Sequence, residues 1–328
     1  MAGAAASGGK ERPVKPLGWV WFSGLMLGMT ACLPYIIEYM CSKSYATHRH
    51  GVVLVTSATS AVGKAACLAL LADGYTVYGG VRVKSEEHLV KELGSPKILP
   101  IVLDIHKSET IEAAVGKVKS ELEGRAFTAL VNTIEAGGST SPMETQDLPY
   151  LKRLLETNTV GTLGLVQIFL PLIREQGSRI VLMSSLCAHL TPPLFGGLCA
   201  SKAALESLAD AMRRELAPFQ ISISSIEPAV TSPAEENEGG GQKAREVYAH
   251  LFADDKAQVL VSPSAAGAGG GGAAAAAADA VARAVIHAVS STHPKIRYPA
   301  GRVGRLPAPF VAFVSWGLPG RVQDVLLG

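Results

Sequence analysis

The chain has 328 residues, of which 48% are hydrophobic and 18% charged, and its formal net charge is +2. A chain of this length can bury one large core, while its nearly balanced charge and the lack of any long Lys/Arg run exclude an electrostatic basis for binding nucleic acid. The five cysteines include no C-x-x-C pair, which predicts reduced thiols and no metal site.

The N-terminal region carries the excess of apolar residues. No charged side chain occurs in residues 16–37, and about 20 such residues in a helix cross a hydrocarbon core of about 30 Å. Trp19 and Trp21 lie near one end, where aromatic rings favour the lipid interface. We therefore expect residues 1–15 to be a tail and residues 16–40 to be a transmembrane or membrane-associated helix, so that a membrane is a partner. A cleaved signal peptide and a buried or interfacial helix are the alternatives.

From Gly51 onward, short β-branched runs alternate with stretches of helical periodicity. Six runs predict strands, at residues 52–55, 76–78, 98–103, 129–131, 179–183 and 221–226. Four stretches predict helices, at residues 63–71, 108–122, 148–173 and 202–216. The alternation is typical of βαβ units, so the predicted fold is α/β with a Rossmann-like doubly wound parallel sheet, whose ligand crevice lies at the carboxyl ends of the strands.

The predicted Rossmann-type domain spans residues 50–300. Within it, residues 264–278 are almost entirely Gly and Ala, and we expect them to form a flexible low-complexity insertion. A helix is predicted to follow at residues 279–290. The apolar C-terminal segment, residues 301–328, is expected either to lie on a membrane or to cover the substrate crevice.

Several short motifs recur with a familiar order and spacing. They are VTSATSAVGKA at residues 55–65, Asp104 after the third strand, LVN at residues 130–132, N-x-x-G at residues 158–161, the pair Ser185 and Lys202, and PAVT at residues 228–231. Together they make the region 51–299 resemble the short-chain dehydrogenase/reductase family, and within it the membrane-anchored branch that acts on lipid-like alcohols and ketones. No single motif is specific for this family, but the whole set in this order is.

The resemblance implies an NAD(P)(H)-linked oxidoreductase whose substrate is a hydrophobic alcohol or ketone, such as a lipid, a steroid or a retinoid. It also implies single-pass or monotopic attachment to the endoplasmic reticulum or mitochondrial membrane. Because the family commonly dimerises through two long helices, which residues 148–173 and 202–216 resemble, a homodimer or heterodimer is a further expectation.

The first loop corresponds to the family's nucleotide-binding turn, in which backbone N–H groups and a helix N-terminus meet a pyrophosphate. Thr56 and Gly63 match the family pattern, but Ser57 and Ala61 replace its first two glycines. A Cβ at a position that needs a positive φ costs about 1 kcal/mol. Ser57 and Ser60 carry hydroxyls that suit phosphate binding, and the alternative is a folded turn that no longer binds a dinucleotide.

The second strand is followed by Arg82 and Lys84, without the acidic residue that hydrogen-bonds an adenosine ribose. This pattern favours NADP(H) over NAD(H) if a dinucleotide binds, although both residues are equally well explained as solvated charges. The resemblance places Asp104 at the adenine, where the alternative is a capping or loop aspartate. It adds Asn132 and Thr231 to the cofactor-binding residues.

The resemblance also supplies catalytic roles. Ser185 would orient the substrate carbonyl, Lys202 would hold the nicotinamide ribose and lower the pKa of a tyrosine, and Asn158 would position a relay water. Leu198 stands four residues before Lys202, where the family has that tyrosine. An isobutyl group neither gives nor takes a proton, so a reduced ketone would remain an alkoxide in a dry pocket, which is disfavoured by several kcal/mol.

Three features can compensate for the missing phenol: the thiol of Cys199, the imidazole of His189, or a substrate that needs no proton from the protein. A shift of one residue on a helix turns Cys199 by about 100°, so a packed thiol is the plainer interpretation. His189 follows Ser185 in a loop near two prolines, where an exposed imidazole is the plainer interpretation.

Other positions depart from the family pattern as well. Thr133, Ile134 and Glu135 replace the N-A-G that usually completes the end of the fourth strand, and Ala229 replaces the glycine after Pro228. Two hypotheses follow. The chain is an oxidoreductase with atypical or impaired catalysis, or it is a pseudoenzyme that serves as a membrane-associated binding or scaffold module and needs no cofactor.

Overall fold

The computed structural model describes residues 42–48, 50–137, 141–229, 272–303 and 306–317. The predicted tail and anchor, Thr231 and most of the predicted insertion lie outside these ranges, so the structure leaves those predictions as they are. Among the described helices, none combines the length and the apolarity needed to cross a membrane. The chain divides into two compact units, residues 1–44 and 45–328, and the second is described below.

A seven-stranded parallel sheet forms the centre of this unit, with strand order β3-β2-β1-β4-β5-β6-β7. The strands are β1 (Val52–Val55), β2 (Thr76–Val81), β3 (Ile98–Val102), β4 (Phe127–Asn132), β5 (Arg179–Met183), β6 (Ile223–Pro228) and β7 (Arg297–Ala300). A separate antiparallel pair joins β8 (Arg302–Val303) to β9 (Leu306–Pro307). The predicted Rossmann-like sheet and its six strands are confirmed.

The strand β7 was not predicted from the sequence. It contains Arg297 and Pro299, two residues that argue against a central strand. Among the described strands it lies at the edge of the sheet and pairs only with β6. An edge position tolerates a proline because one side of the strand needs no ladder hydrogen bond.

Helices cover both faces of the sheet. They are α1 (Ala61–Ala72), α2 (Glu87–Lys91), α3 (Ser108–Ser120), α4 (Leu148–Leu155), α5 (Thr162–Gln176), α6 (Gly196–Leu216), α7 (Gly272–Ser290) and α8 (Ala308–Gly317). One apolar cluster joins the sheet to α3, α5 and α6, and another joins it to α1 and α7. Burial on both faces explains why the strand residues Val52–Val55 are uniformly apolar and fully buried.

Three of the predicted helices differ from the structure by more than two residues at a boundary, and one of them, α6, begins at Gly196 rather than at residue 202. The single helix expected at residues 148–173 consists of α4, a π-helical turn at Glu156–Gly161, and α5. Helix α7 begins at Gly272 rather than at Asp279, so residues 272–278 are helical. Alanine has the highest helix propensity of any residue, and a run of alanines therefore extends a helix that is already anchored by buried residues such as Val281 and Val285.

Candidate active site at the carboxyl ends of the strands

Hydrogen bonds join the loop after β1 to the loop after β4. The Thr56 hydroxyl donates to Asn132 Oδ1 at 2.8 Å and accepts from the backbone N–H of Thr133 at 2.9 Å. The backbone N–H of Ser57 in turn donates to Thr133 Oγ1 at 3.0 Å. Thr133, which departs from the family pattern, therefore fixes the start of the candidate nucleotide loop.

The loop from Ser57 to Gly63 folds although Ser57 and Ala61 stand where the family pattern has its first two glycines. Neither Ser57 nor Ala61 has a positive φ, so neither substitution strains the backbone. Gly63 is required for packing, since a Cβ built on it would lie 1.6 Å from the carbonyl oxygen of Ser57. Ser60 caps helix α1: its hydroxyl accepts from the N–H of Gly63 at 3.0 Å and donates to the carbonyl of Ser57 at 3.3 Å.

The capping role of Ser60 limits what it can offer a phosphate, because its proton already has an acceptor within the loop. The first turn of α1 nevertheless reaches the surface at Ala61, whose side chain is exposed. A helix N-terminus with an exposed first turn presents backbone donors and a positive dipole end to an anion. The loop therefore keeps the backbone features of a phosphate-binding turn.

Three further predicted cofactor-binding residues, Arg82, Asp104 and Asn132, lie among the described residues. The Arg82 side chain is exposed beyond the end of β2. Asp104 accepts from the backbone N–H of His106 at 3.1 Å and lies 3.7 Å from the Lys107 ammonium, which is the loop-closing role weighed as its alternative. Asn132, besides contacting Thr56, donates to Thr162 Oγ1 at 3.0 Å.

Lys202 lies almost completely buried beneath the crevice. Its side chain is 2% exposed, and its Nζ donates to the carbonyl oxygen of Met183 at 3.0 Å and to Glu135 Oε2 at 2.9 Å. Glu135 is 28% exposed and follows β4 in the chain. The ammonium of the predicted cofactor-binding lysine is thus neutralised by a carboxylate at a position where the family has glycine.

Asn158 lies in the π-helical turn and binds the residue that follows Glu135. Its Oδ1 accepts from the N–H of Ala136 at 2.7 Å, and its Nδ2 donates to the carbonyl of Ala136 at 3.3 Å and to Ser201 Oγ at 3.0 Å. A π-helical turn widens the helix by one residue per turn and is frequent at functional sites. Asn158 and Lys202 therefore both contact the Glu135–Ala136 segment.

Ser185 and Leu198 complete the predicted set. The Ser185 hydroxyl accepts from the N–H of Cys187 at 3.2 Å and donates to the carbonyl of Pro228 at 3.4 Å. Leu198 is 7% exposed and packs among Cys187, Phe195 and Cys199. The helix turn before Lys202 therefore presents an aliphatic side chain at the position that the family resemblance assigns to a tyrosine.

The structure brings three predicted catalytic residues to one place. Lys202 binds Met183, which precedes Ser185 by two residues on the chain, while Asn158 binds Ser201, the neighbour of Lys202. The common position is the carboxyl end of β5, where ligands of doubly wound folds bind.

An apolar contact lies beside Ser185. Leu186 and Ala229 pack against Ala308 and Ala312 of helix α8. The described part of the C-terminal segment thus packs against a residue next to Ser185.

The thiol of Cys199 and the imidazole of His189, which were considered as substitutes for the phenol, both contact other side chains. The pKa of the Cys199 thiol is raised by its hydrogen bond to Cys187 and by burial, which makes it a poorer acid. His189 Nε2 lies 2.9 Å from Glu227 Oε1. Glu227 is fully buried, and its burial raises the pKa of its carboxyl above the usual range even though His189 and Arg297 oppose that shift.

Charged residues around Glu227 form a cluster that sequence reasoning missed. Arg297 Nε lies 2.9 Å from Glu206 Oε2 and 3.5 Å from Glu227 Oε1, and its Nη2 lies 3.1 Å from Asp210 Oδ1. Ligand atoms of His189, Glu206 and Glu227 lie within 4.8 Å of one another, a spacing that would suit a cation. The guanidinium, which stays charged at any physiological pH, already supplies positive charge at this position.

The role of Glu135 was also missed, although one signal was available. The sequence pattern shows Glu135 only as a departure from the family, yet an acidic residue three positions after a central parallel strand is expected at the crevice edge. Its partner, Lys202, is distant in sequence, and only the folded chain brings the two together.

Comparison with known proteins identifies one family and several relatives. The profile of the family described as short chain dehydrogenase matches residues 51–242, more than half of the chain. Retinol dehydrogenase 5 of Mus musculus is 25% identical over 294 residues, covering 83% of this chain and 90% of that protein. The 17-beta-hydroxysteroid dehydrogenase type 6 of Homo sapiens is 25% identical over 283 residues, covering 84% and 89%.

A solved structure has the same fold. The short chain dehydrogenase from Burkholderia cenocepacia in complex with NADP superposes with a TM-score of 0.61 at 23% sequence identity, covering 86% of this chain and 100% of that chain. At this identity the likeness is one of fold.

Proposed function

Because this chain belongs to the short-chain dehydrogenase family, we propose that it is an NADP(H)-linked oxidoreductase that acts on a hydrophobic alcohol or ketone at a membrane, with atypical catalysis. The observation that carries the proposal is the convergence of Ser185, Asn158 and Lys202 at the carboxyl end of β5, beside Leu198 in place of a proton donor.

The residues present fit a dinucleotide at both ends of the crevice. The exposed N-terminal turn of α1, with Thr56 and Ser57 fixed beneath it, suits a pyrophosphate. Lys202 has donors directed to the end of β5, where the nicotinamide ribose is expected to bind. When bound, the dinucleotide supplies or accepts the hydride. The preference for NADP(H) rests on Arg82, which is exposed after β2, and on the lack of an acidic residue at the end of that strand.

The substrate class rests on two observations. The curated relatives include proteins named for retinol and for a hydroxysteroid, both of which are hydrophobic alcohols. In this chain, Leu186, Leu198 and Ala229 give the surroundings of Ser185 an apolar character. Ser185 would donate a hydrogen bond to the substrate oxygen, and the proton that the phenol would have supplied must come from another source.

The Leu198→Tyr variant tests this proposal. Binding of NADPH is measured by fluorescence, and turnover is then measured on retinal and a 17-ketosteroid with the wild type, Leu198→Tyr and Ser185→Ala. We expect all three proteins to bind NADPH, the wild type to turn over slowly, and Leu198→Tyr to be faster by about a hundredfold, the usual contribution of general acid catalysis. Thermal unfolding of each protein verifies that it is folded.

The remaining outcomes are equally informative. Binding without turnover by the wild type and by Leu198→Tyr would favour the pseudoenzyme alternative. A lack of NADPH and NADH binding would exclude the oxidoreductase proposal. The membrane part is tested separately by flotation with phospholipid vesicles, in which the full chain should float and a chain lacking residues 1–40 should not.

A further inference from the structure

Lys202 and Glu135 form an ion pair of unequal exposure. The lysine side chain is 2% exposed and the glutamate side chain is 28% exposed, with 2.9 Å between Nζ and Oε2. A buried ammonium needs a compensating negative charge, because leaving it unpaired in a poorly polar environment costs several kcal/mol. Glu135 provides that charge and is partly exposed, so its carboxylate is the group of the pair that water can solvate when the two separate.

The segment that carries Glu135 is held in place from both sides. Thr133 exchanges hydrogen bonds with Thr56 and Ser57, and Asn158 binds the backbone N–H and carbonyl of Ala136. The carboxylate is therefore presented to Lys202 by a fixed backbone. Opening the ion pair requires only that the Glu135 side chain change rotamer.

We propose that Glu135 competes with the dinucleotide for Lys202, so that the cofactor binds only when this ion pair opens. The inference rests on the proposed function, in which Lys202 holds the nicotinamide ribose. Ribose hydroxyls are neutral and cannot replace the negative charge that the ammonium loses. The exchange is therefore unfavourable for the cofactor, and Glu135 lowers its affinity.

The test compares the dissociation constant of NADPH, measured by calorimetry on the full chain, for the wild type and three variants. Glu135→Gln keeps the size of the side chain and removes its charge, while Glu135→Gly introduces the residue of the family pattern. Glu112→Gln is the matched control, since Glu112 is exposed on α3. We expect both Glu135 variants to bind NADPH about tenfold more tightly, a change of about 1.4 kcal/mol, and the control to match the wild type.

Each outcome has a clear meaning. Unchanged affinity in a folded Glu135 variant would overturn the competition while leaving the proposed function intact, and weaker affinity would make Glu135 a contact of the cofactor instead. Binding by the variants alone would support both proposals. If none of the four proteins binds NADPH or NADH, both proposals fail. Thermal unfolding identifies any variant that has not folded, and the other Glu135 variant then provides the comparison.

Discussion

The imidazole Nε2 of His189 lies 2.9 Å from Oε1 of Glu227, which connects the loop after β5 to the end of β6. Glu227 is fully buried, and Glu206 and Arg297 lie beside it. One arginine therefore faces two buried carboxylates next to the candidate site. Burial is the main cause of the raised pKa of Glu227, and the neighbouring carboxylate of Glu206 adds to it.

This arrangement predicts a pH-dependent stability. A group whose pKa is higher in the folded state contributes stability that is fully present below its unfolded pKa and is lost as pH rises through the folded value. The wild type should therefore lose unfolding free energy relative to Glu227→Gln as pH rises above about 4.5, the ordinary value for a glutamate. Urea denaturation at pH 5 and pH 8 measures the difference. A difference between the two proteins that does not change with pH would contradict the assignment.

Replacement of Arg297 by Met should destabilise the protein. The substitution leaves Glu206 and Glu227 buried without their cation, and breaking a buried ion pair in this way costs about 3 kcal/mol. Because the Arg297 side chain is 23% exposed, we expect a value at or below that figure in urea denaturation.

Arg283→Met is the control for this prediction, since Arg283 is exposed on α7. A second check is the double variant Arg297→Met/Glu227→Gln, which should lose less stability than the sum of the two single changes predicts, because it removes one of the stranded charges. Equal losses of unfolding free energy for Arg283→Met and Arg297→Met would show that Arg297 does not stabilise the buried carboxylates.

The candidate nucleotide loop should not tolerate a side chain at Gly63. A Cβ there would lie 1.6 Å from the carbonyl oxygen of Ser57, so Gly63→Ala must displace the loop backbone and should cost about 3 kcal/mol. Gly116→Ala is the matched control: Gly116 lies in α3 with no heavy atom within 4 Å of its Cβ position, and it should gain about 0.5 to 1 kcal/mol from helix propensity. Similar melting temperatures for the two variants would refute the packing role.

The sheet was largely predictable from the sequence because its strands are buried on both faces. The bounds of β1 and β5 were predicted as the structure has them, since β1 is entirely valine and leucine and β5 is a run of four apolar residues after Arg179. The edge strand β7 was missed because Arg297 and Pro299 interrupt its apolar pattern. The start of α7 was placed too late because the Gly/Ala-rich composition of residues 264–278 suggested a flexible segment rather than a helix.

Of the candidate site, only the residues that belong to motifs could be predicted from the sequence. Ser185, Asn158 and Lys202 occur in motifs with fixed spacing, and the fold brings them together. The charged pairs in and beside the site depend on tertiary structure: Glu135 reaches Lys202 of α6 from the loop after β4, and Arg297 reaches Glu206 across an interval of 91 residues. No local periodicity encodes such pairs, so the electrostatics of the site had to be obtained from the structure.

Asn158 provides a prediction that separates its structural role from a catalytic one. Its side chain makes three hydrogen bonds, two to the backbone of Ala136 and one to Ser201 Oγ. Asn158→Ala should therefore destabilise the protein by about 2 kcal/mol, because buried polar groups lose their partners. Ser201→Ala removes one of these three bonds, together with the bond that Ser201 Oγ donates to the carbonyl of Leu198 at 2.7 Å. It therefore loses two hydrogen bonds rather than three and should cost less. Urea denaturation of both variants measures the difference.

Hydrogen exchange gives the more specific readout. The N–H of Ala136 is protected in the wild type by Asn158 Oδ1 at 2.7 Å, so it should exchange faster in Asn158→Ala and at an unchanged rate in Ser201→Ala, in which that bond survives. Faster exchange in both variants would mean that global unfolding, rather than loss of the hydrogen bond from Asn158, sets the exchange rate of this amide. Unchanged exchange in Asn158→Ala would show that the Glu135–Ala136 segment holds its position without Asn158, and the fixed presentation of Glu135 to Lys202 would then need another cause.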